Sequence, residues 1–267
     1  MRSAEWIDGP DDPRVALFRG VRDPELARSA GVFVAEGRFV VRRVLDDPHY
    51  RVRALLLNEA AYRDLESILD RLNAVPAYVC NTAAFNPITG FNIHRGCLAL
   101  VDRPEPTSIH ALSANASRIV ALDGVSNPDN VGGIFRNAAA FGADGVLLGP
   151  TSGDPLYRKA VRTSMGAALR VPFARAEDWP ADLVRLRQHG FTIVALTPRE
   201  PSEAIDAFAA RASALRIALV AGEEGSGLTP IVESAADVRV RIPIACGVDS
   251  LNVAVAVGIA LFALRRV

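Results

Sequence analysis

Three separated segments of this chain combine glycines with polar side chains in patterns that suit the binding of a small ligand. The first is the run Asp123–Ala138, in which turn residues end a buried strand and a helix follows. Gly132 and Arg136 are four residues apart, so they share one face of that helix. Two adjacent glycines in a helix cost about 1 kcal/mol each relative to alanine. That cost favours close approach by a ligand or another backbone, with a guanidinium one turn further on.

The second segment begins at Gly222, at the end of a predicted strand where open α/β sheets bind ligands. Gly222 and Gly227 have the spacing of a phosphate-binding P-loop, but that motif requires a lysine where Leu228 stands. The sequence carries no dinucleotide-binding fingerprint either. We therefore interpret the segment as a flexible loop with two carboxylates, Glu223 and Glu224, that wraps a small ligand through main-chain groups.

The third segment joins a strand to the last helix. The strand over Val238–Ile242 runs into Pro243, and an apolar helix is predicted from about Leu251 to Leu264. Ser250 and Asn252 form a polar pair at the start of this helix, and Asp249 and Ser250 are both good N-cap residues. Small residues along the helix allow another backbone to approach closely. Taken alone, the segment indicates a buried C-terminal helix with an ordinary cap.

The elements that carry these segments are strands alternating with helices. In the first hundred residues, strands are predicted at 32–34, 52–57, 77–80 and 97–101. This alternation indicates a small α/β domain. Residues 1–28 are interpreted as a solvated arm or short helix, and residues 104–117 as a linker.

The rest of the chain shows the same alternation with more apolar strands. Its strands or extended segments are predicted at 118–122, 145–148, 169–173, 191–196, 217–221 and 238–242. Continuous apolar strands between helices are typical of a parallel sheet covered on both faces. The three ligand-binding segments would then lie at the ends of such strands.

Composition places the chain among globular proteins. Of its 267 residues, 50% are hydrophobic and 22% are charged, which supplies a sizeable core and excludes disordered and fibrous classes. The formal net charge is zero, which neither supports nor forbids a nucleic-acid partner. The three cysteines are far apart and predict neither a metal site nor a disulfide framework. A polar N-terminus and the absence of an apolar run of about 18 residues predict a cytoplasmic protein without signal peptide or membrane span.

Together, the three segments resemble the ordered motifs of the SpoU (TrmH-type) branch of the SPOUT RNA methyltransferases. The matching residues are Asn130-x-Gly132-x3-Arg136-x-Ala138, then Gly222-x-Glu224-Gly225-x-Gly227-Leu228, then Ile242-Pro243 with Ser250-Leu251-Asn252-Val253. Each motif is weakly specific, but all three in order at strand ends are a strong signal over 118–267. More loosely, Phe33–Gly37 and His94-Arg95-Gly96 resemble an L30e-like RNA-recognition domain.

The resemblance implies a fold and an assembly. It implies an α/β protein with a smaller L30e-like α/β domain over 1–108 and a parallel-sheet SPOUT domain with a deep trefoil knot over 109–267. Members of the family are usually homodimers with the active site at the interface. No metal is implied.

The resemblance also implies a cofactor and a set of site residues. S-adenosylmethionine would be held, mostly through backbone groups, by Leu196, Thr197, Gly222, Ile242, Ile244 and Leu251. Arg136 matches the catalytic arginine, and its guanidinium would act either as a stabiliser of the developing alkoxide or as a perturbed base. Around it, the remaining catalytic candidates are Asn130 and Asn252 to orient the ribose or the arginine, Ser250 to shape the pocket, and Glu224 to fix the loop or the arginine. From the residues themselves, the candidates for RNA contact are Arg38, His94, Arg95 and Arg162. The loop 89–96, which holds His94 and Arg95, is equally interpreted as a surface turn, and the segment at Arg162 as a helix-end turn.

The activity implied is methyl transfer from S-adenosylmethionine to a ribose 2′-hydroxyl of structured RNA. Ribosomal RNA, and 23S rRNA in particular, is favoured because an added recognition domain suits a structured target. The alternatives are a transfer-RNA 2′-O-methyltransferase and a catalytically silent RNA-binding protein of the same fold. A nucleotide-dependent P-loop enzyme is disfavoured by the missing lysine.

Overall fold

The computed structural model describes residues 4–19, 23–70, 75–90 and 96–265. Its strands are β1 Glu5–Trp6, β2 Val32–Glu36, β3 Val52–Asn58, β4 Ala77–Cys80, β5 Cys97–Asp102, β6 Arg118–Asp123, β7 Gly145–Leu148, β8 Phe173–Arg175, β9 Phe191–Leu196, β10 Glu203–Ala204, β11 Arg216–Gly222 and β12 Val238–Arg241. Its α-helices are α1 Asp23–Ala30, α2 Arg38–Asp46, α3 Glu59–Leu69, α4 Thr82–Thr89, α5 Ile109–Ala114, α6 Pro128–Phe141, α7 Arg158–Thr163, α8 Ala181–Gln188, α9 Ile205–Ala209, α10 Pro230–Ala235 and α11 Val253–Ala263.

The chain divides into two compact units. The first comprises Met1–Glu105 together with Leu156–Gly166, and the second comprises Pro106–Pro155 with Ala167–Val267. The sequence had placed all of 109–267 in one domain. The buried carboxylate of Glu36 explains the difference, because it pairs with two arginines of α7 and attaches that helix to the first unit.

The first unit is a mixed five-stranded sheet in the order β1-β4-β3-β5-β2, with helices packed on it. Of the two alternatives predicted for residues 1–28, the short helix is found, as a 3-10 helix over Pro13–Phe18 and as α1, and the solvated arm is wrong. Ile7, Val15 and Phe18 are buried in the core of this unit, and β1 pairs in parallel with β4. The arm is ordered because these three side chains remove apolar surface from water, which contributes about 1.5–3 kcal/mol for each large side chain.

The second unit is a seven-stranded, all-parallel sheet in the order β10-β12-β9-β11-β6-β7-β8. This confirms the parallel-sheet fold predicted for the C-terminal half. The central strands β6, β9 and β11 are almost completely buried, as their continuous apolar sequence requires. Their carboxyl ends place Asp123, Leu196 and Gly222 along one edge of the sheet.

Two local predictions for the second unit are wrong. The linker contains α5, which Ser108 caps by accepting a hydrogen bond from the Ala111 amide and which buries Leu112. The extended segment predicted at 169–173 lies further along, because a 3-10 turn occupies Ala167–Leu169 and the strand begins at Phe173. In both cases packing onto the sheet decides the structure of a segment with weak local preference.

The two buried cysteines, Cys80 and Cys97, are not suited to act as nucleophiles. Burial raises the pKa of Cys80 to about 11 and the pKa of Cys97 to about 12, so both are thiols at neutral pH. Cys246 is exposed and free. Among the described residues, no helix is long and apolar enough to span a membrane.

Candidate functional site

The three motif segments meet at the side chain of Asn252. Its Nδ2 atom donates to Asn130 Oδ1 at 2.8 Å and to Glu224 Oε1 at 2.5 Å. Asn130 belongs to α6, Glu224 to the loop after β11, and Asn252 directly precedes α11. One amide therefore joins residues that are 122 and 28 positions away in the sequence.

All hydrogen-bonding positions of this amide are occupied. The Oδ1 atom of Asn252 accepts from the amides of Ala254 and Val255, so Asn252 is the N-cap of α11. The sequence had favoured Asp249 or Ser250 for this cap. Since an asparagine amide offers two donors and one acceptor oxygen, Asn252 has no donor left for a substrate. Asn252 thus holds Asn130 and Glu224 together, whereas Asn130 Nδ2 and the second oxygen of Glu224 have no hydrogen-bond partner among the described residues.

The loop after β11 is closed on itself and tied to the loop after β6. The amide of Gly227 donates to the carbonyl of Glu223 at 2.9 Å. Glu223 Oε1 accepts from Ser126 at 3.2 Å, and its other oxygen accepts from Ser226 at 3.3 Å. A Cβ at Gly222 would lie 2.2 Å from the Gly227 carbonyl carbon, so this position requires a glycine.

A buried carboxylate fastens the end of the same loop. Asp123, 6% exposed at the end of β6, accepts from Trp179 Nε1 at 2.9 Å. Its other oxygen accepts from the amide and the hydroxyl of Thr229 at 2.8 and 2.9 Å. The sequence presented Asp123 only as a turn residue, because nothing in the local pattern indicates partners 56 and 106 positions away.

A pocket of about 90 Å³ lies between the carboxyl ends of β9 and β12 and the start of α11. It is lined by Leu196, Thr197, Pro198, Ile242, Ile244, Ser250, Leu251 and Ala256. Five of the six residues predicted for the cofactor are in this set. The exception is Gly222, which is buried at the strand end and does not line the pocket. Pro198 and Ala256 were not foreseen, although the small residue at 256 belongs to the run that predicted close packing.

Gly133 of α6 and Gly258 of α11 are explained by the contact between these two helices. A Cβ at Gly133 would lie 2.8 Å from the Ala254 Cβ, and one at Gly258 would lie 2.8 Å from Asn137 Nδ2. Asn137 Nδ2 also donates to the Ala254 carbonyl at 2.7 Å. The close approach predicted from the glycines is thus made, at Gly133, by the Ala254 side chain of α11.

Arg136 is exposed on α6, in the same helix as Asn130. Its guanidinium makes no hydrogen bond or ion pair with any residue that the structure describes. The structure therefore brings together Asn130, Glu224 and Asn252 and places Ser250 in the adjacent pocket. It leaves Arg136 exposed to solvent, six residues after Asn130 on the same helix.

The predicted RNA contacts are distributed differently. Arg38 is half-buried at the start of α2, and Arg162 Nη1 pairs with Glu36 Oε1 at 3.3 Å. Glu36 also pairs with Arg158 at 2.7 Å. This one carboxylate therefore compensates part of the charge of both arginines. His94 and Arg95 lie outside the described residues. No cluster of three or more His, Cys, Asp or Glu residues that could hold a metal ion occurs in the described part of the chain.

The fold and the position of the pocket are those of α/β enzymes, which bind their ligands outside the carboxyl ends of parallel strands. Comparison with known families makes this specific, since the model of the SpoU rRNA methylase family matches residues 117–262. The chain belongs to this family and is an RNA methyltransferase.

Similar proteins support the same family. An uncharacterized tRNA/rRNA methyltransferase of Mycobacterium tuberculosis is 41% identical over 96% of this chain and 90% of its own length. A crystal structure of an rRNA methyltransferase from Sinorhizobium meliloti has a TM-score of 0.82 at 25% identity, with 98% of this chain and 97% of that chain covered. Its AdoMet-bound form has a TM-score of 0.79 at the same identity and coverage. A putative RNA methyltransferase of the TrmH family from Porphyromonas gingivalis has a TM-score of 0.72 at 29% identity, covering 94% and 96%.

Proposed function

We propose that this RNA methyltransferase transfers a methyl group from S-adenosylmethionine to a ribose 2′-hydroxyl of structured RNA, with ribosomal RNA as the favoured substrate. The observation that carries the proposal is the Asn252 amide, which holds Asn130 and Glu224 together beside an apolar pocket. Direct hydrogen bonds join residues of all three motifs there, which would not be expected if the motifs had no common function.

The pocket residues fit the cofactor. A cavity with mostly apolar walls and a few hydroxyl and backbone groups is typical of cofactor sites. Thr197 and Ser250 supply the hydroxyl groups, and Ile242, Ile244 and Leu251 supply apolar contact. S-adenosylmethionine supplies a methyl group on a sulfonium, so no covalent enzyme intermediate is required. This agrees with the protonated, buried state of Cys80 and Cys97.

Arg136 is the residue that we assign to the reacting oxygen. Its guanidinium is exposed and has no partner among the described residues, so it is available to RNA. A guanidinium with an ordinary pKa of about 12 or above is a poor base at neutral pH. Arg136 is therefore assigned to stabilising the developing alkoxide and holding the neighbouring phosphate, for which its planar donor geometry is suited. Asn130 orients the ribose, and Glu224 keeps the loop in place.

The Arg136→Ala substitution tests this assignment. We expect S-adenosylmethionine to bind with unchanged affinity in calorimetry, whereas transfer of labelled methyl to RNA falls at least about a hundredfold, as for loss of a donor to a developing oxyanion. Arg211→Ala is the control, because Arg211 is an exposed arginine paired with Glu203 elsewhere in the second unit. Unchanged turnover in Arg136→Ala would remove Arg136 from the mechanism.

The substrate RNA can be assigned directly. Ribosomal RNA is proposed because the first unit adds a separate α/β body to the methyltransferase domain, which we interpret as the L30e-like recognition domain. Mapping of 2′-O-methyl sites in ribosomal and transfer RNA, with and without this protein, identifies the nucleotide. A site lost in transfer RNA alone would make transfer RNA the substrate and reject the ribosomal proposal.

We also infer a homodimer formed through the second unit. Val255, Ile259 and Phe262 follow one face of α11 and are 50%, 39% and 51% exposed. An apolar stripe of this kind on a soluble protein marks an interaction surface. Glu224, Ser250 and Asn252 are also exposed, as expected for a site that a second protomer completes. The trefoil knot of the family stays a prediction for this chain.

A further inference from the structure

We propose that Arg199 is a positioning residue for cofactor binding, which holds the glycine-rich loop against the pocket wall through the buried carboxylate of Glu233. The proposal rests on the proposed use of S-adenosylmethionine. Neither residue belongs to the three motifs, and the residue pattern around them gave no indication of a role.

The guanidinium of Arg199 contacts two carbonyl groups near the end of the loop after β11. Its Nη2 atom donates to the Ser226 carbonyl at 2.8 Å, and its Nη1 atom donates to the Leu228 carbonyl at 3.2 Å. Gly227 lies between these two carbonyls and has a φ of +71°. Residues other than glycine rarely adopt this backbone conformation. A loop with three glycines has high conformational entropy when free, so two fixed carbonyls restrict it substantially.

The same guanidinium is anchored from the other side. Glu233 in α10 is 8% exposed, and its Oε2 atom lies 3.4 Å from Arg199 Nη1. Its Oε1 atom accepts a hydrogen bond from Thr197 Oγ1 at 2.9 Å. The Thr197 hydroxyl in turn accepts from the Arg199 backbone amide at 3.2 Å. Thr197, Arg199 and Glu233 thus form a closed network.

This network reaches the pocket through Thr197, which lines it and is 4% exposed. The hydrogen bonds and the ion pair of Arg199 therefore join the carboxyl end of β9, the middle of α10 and the loop after β11. Arg199 itself does not line the pocket. Its effect on the cofactor is indirect, through the position of the loop and of the Thr197 hydroxyl.

The test is Arg199→Gln, measured by calorimetric titration with S-adenosylmethionine and by steady-state methyl transfer to RNA. We expect cofactor affinity to fall about tenfold, as for loss of hydrogen bonds from a charged donor. Turnover at saturating cofactor should stay within about twofold, because the variant removes binding energy that the ground state and transition state share. Glu233→Gln should act in the same direction, and the double variant should be less than additive, since the two side chains act as one unit.

The matched control is Arg211→Gln, which also removes one arginine from an ion pair with a glutamate in the second unit and leaves the pocket untouched. Thermal unfolding without ligand shows whether each variant is folded. If Arg199→Gln is folded and binds the cofactor as tightly as Arg211→Gln, or loses turnover at saturation with unchanged affinity, the positioning role is wrong. If the unaltered protein binds no S-adenosylmethionine, the proposed function fails instead, so the two failures are distinguishable.

Discussion

Asn252 shows how much a single side chain can determine in this site. It caps α11, fixes Asn130 and fixes Glu224, and these three tasks use all of its hydrogen-bonding groups. The sequence identified this asparagine by its motif, but it left open whether the amide contacts the ribose. The occupied amide favours an organising role, because both of its N–H donors are already engaged with Asn130 and Glu224.

The Asn252→Asp substitution separates the cap from the bridge. Aspartate is as good an N-cap as asparagine, so the free energy of unfolding should change little from loss of the cap. The two donors are lost, however, and a second carboxylate is placed beside Glu224. We expect kcat/KM for methyl transfer to fall at least about tenfold at neutral pH.

The deficit of this variant should depend on pH. Two adjacent carboxylates repel when both are ionised, which raises the pKa of one of them. Below that raised pKa a shared proton restores a hydrogen-bonded link, so the deficit relative to the unaltered protein should shrink as pH falls from about 7.5 to about 5.5. Asn252→Ala is the control, because it loses the cap as well, costs about 1 kcal/mol of stability, and has no second carboxylate to titrate. A deficit of Asn252→Asp that stays constant over this range would contradict the bridge.

At the scale of elements, the strands were the most predictable feature. The bounds predicted for β4, β7 and β9 are those of the structure, because each is a short apolar run ended by turn residues. The elements that were missed depend on distant partners. β1 exists by pairing with β4, and α5 has only six residues and is stabilised by burial of Leu112. No local periodicity could reveal either.

The contact of α6 with α11 gives a prediction about stability. In Gly133→Ala, the new Cβ would lie 2.8 Å from the Ala254 Cβ, so the two helices must move apart. Such overpacking costs about 1–3 kcal/mol, partly offset by about 1 kcal/mol from the better helix propensity of alanine. We expect a melting temperature lower by roughly 2–4 °C for each net kcal/mol lost.

The compensating substitution makes this prediction specific. Ala254→Gly in the Gly133→Ala background removes the opposing methyl group, so the coupling free energy between the two substitutions should be favourable. Thermal unfolding of the two single variants and the double variant measures that coupling. Simple additivity would mean that the helices do not meet at these two positions.

At the scale of the whole molecule, the sequence predicted a small α/β part followed by a parallel-sheet methyltransferase domain, and the second of these is confirmed. What it could not predict is the placement of 156–166, which lies within the family region in sequence yet packs with the first unit through Glu36. That placement depends on ion pairs between residues more than 120 positions apart, for which the chain carries no local signal.

Assembly is the property of the whole molecule that the exposed face of α11 makes testable. Phe262→Glu places a charge at the C-terminal end of the apolar stripe, beside Phe141, whose ring centroid is 5.8 Å from that of Phe262. If two copies pack through this face, the desolvation of this carboxylate opposes their association, even where it pairs with Arg265, whose guanidinium lies 3.8 Å from the Phe262 ring centroid. Sedimentation should then show a dimer for the unaltered protein and a monomer for the variant, with unchanged far-UV circular dichroism.

Ile231→Glu is the control, because Ile231 is 61% exposed on α10, away from the stripe. Because the catalytic candidates are exposed in one chain, the monomeric variant should also lose methyl transfer. A monomeric variant with full activity would mean that one chain contains the complete site, and a Phe262→Glu variant that remains dimeric would place the interface on another face.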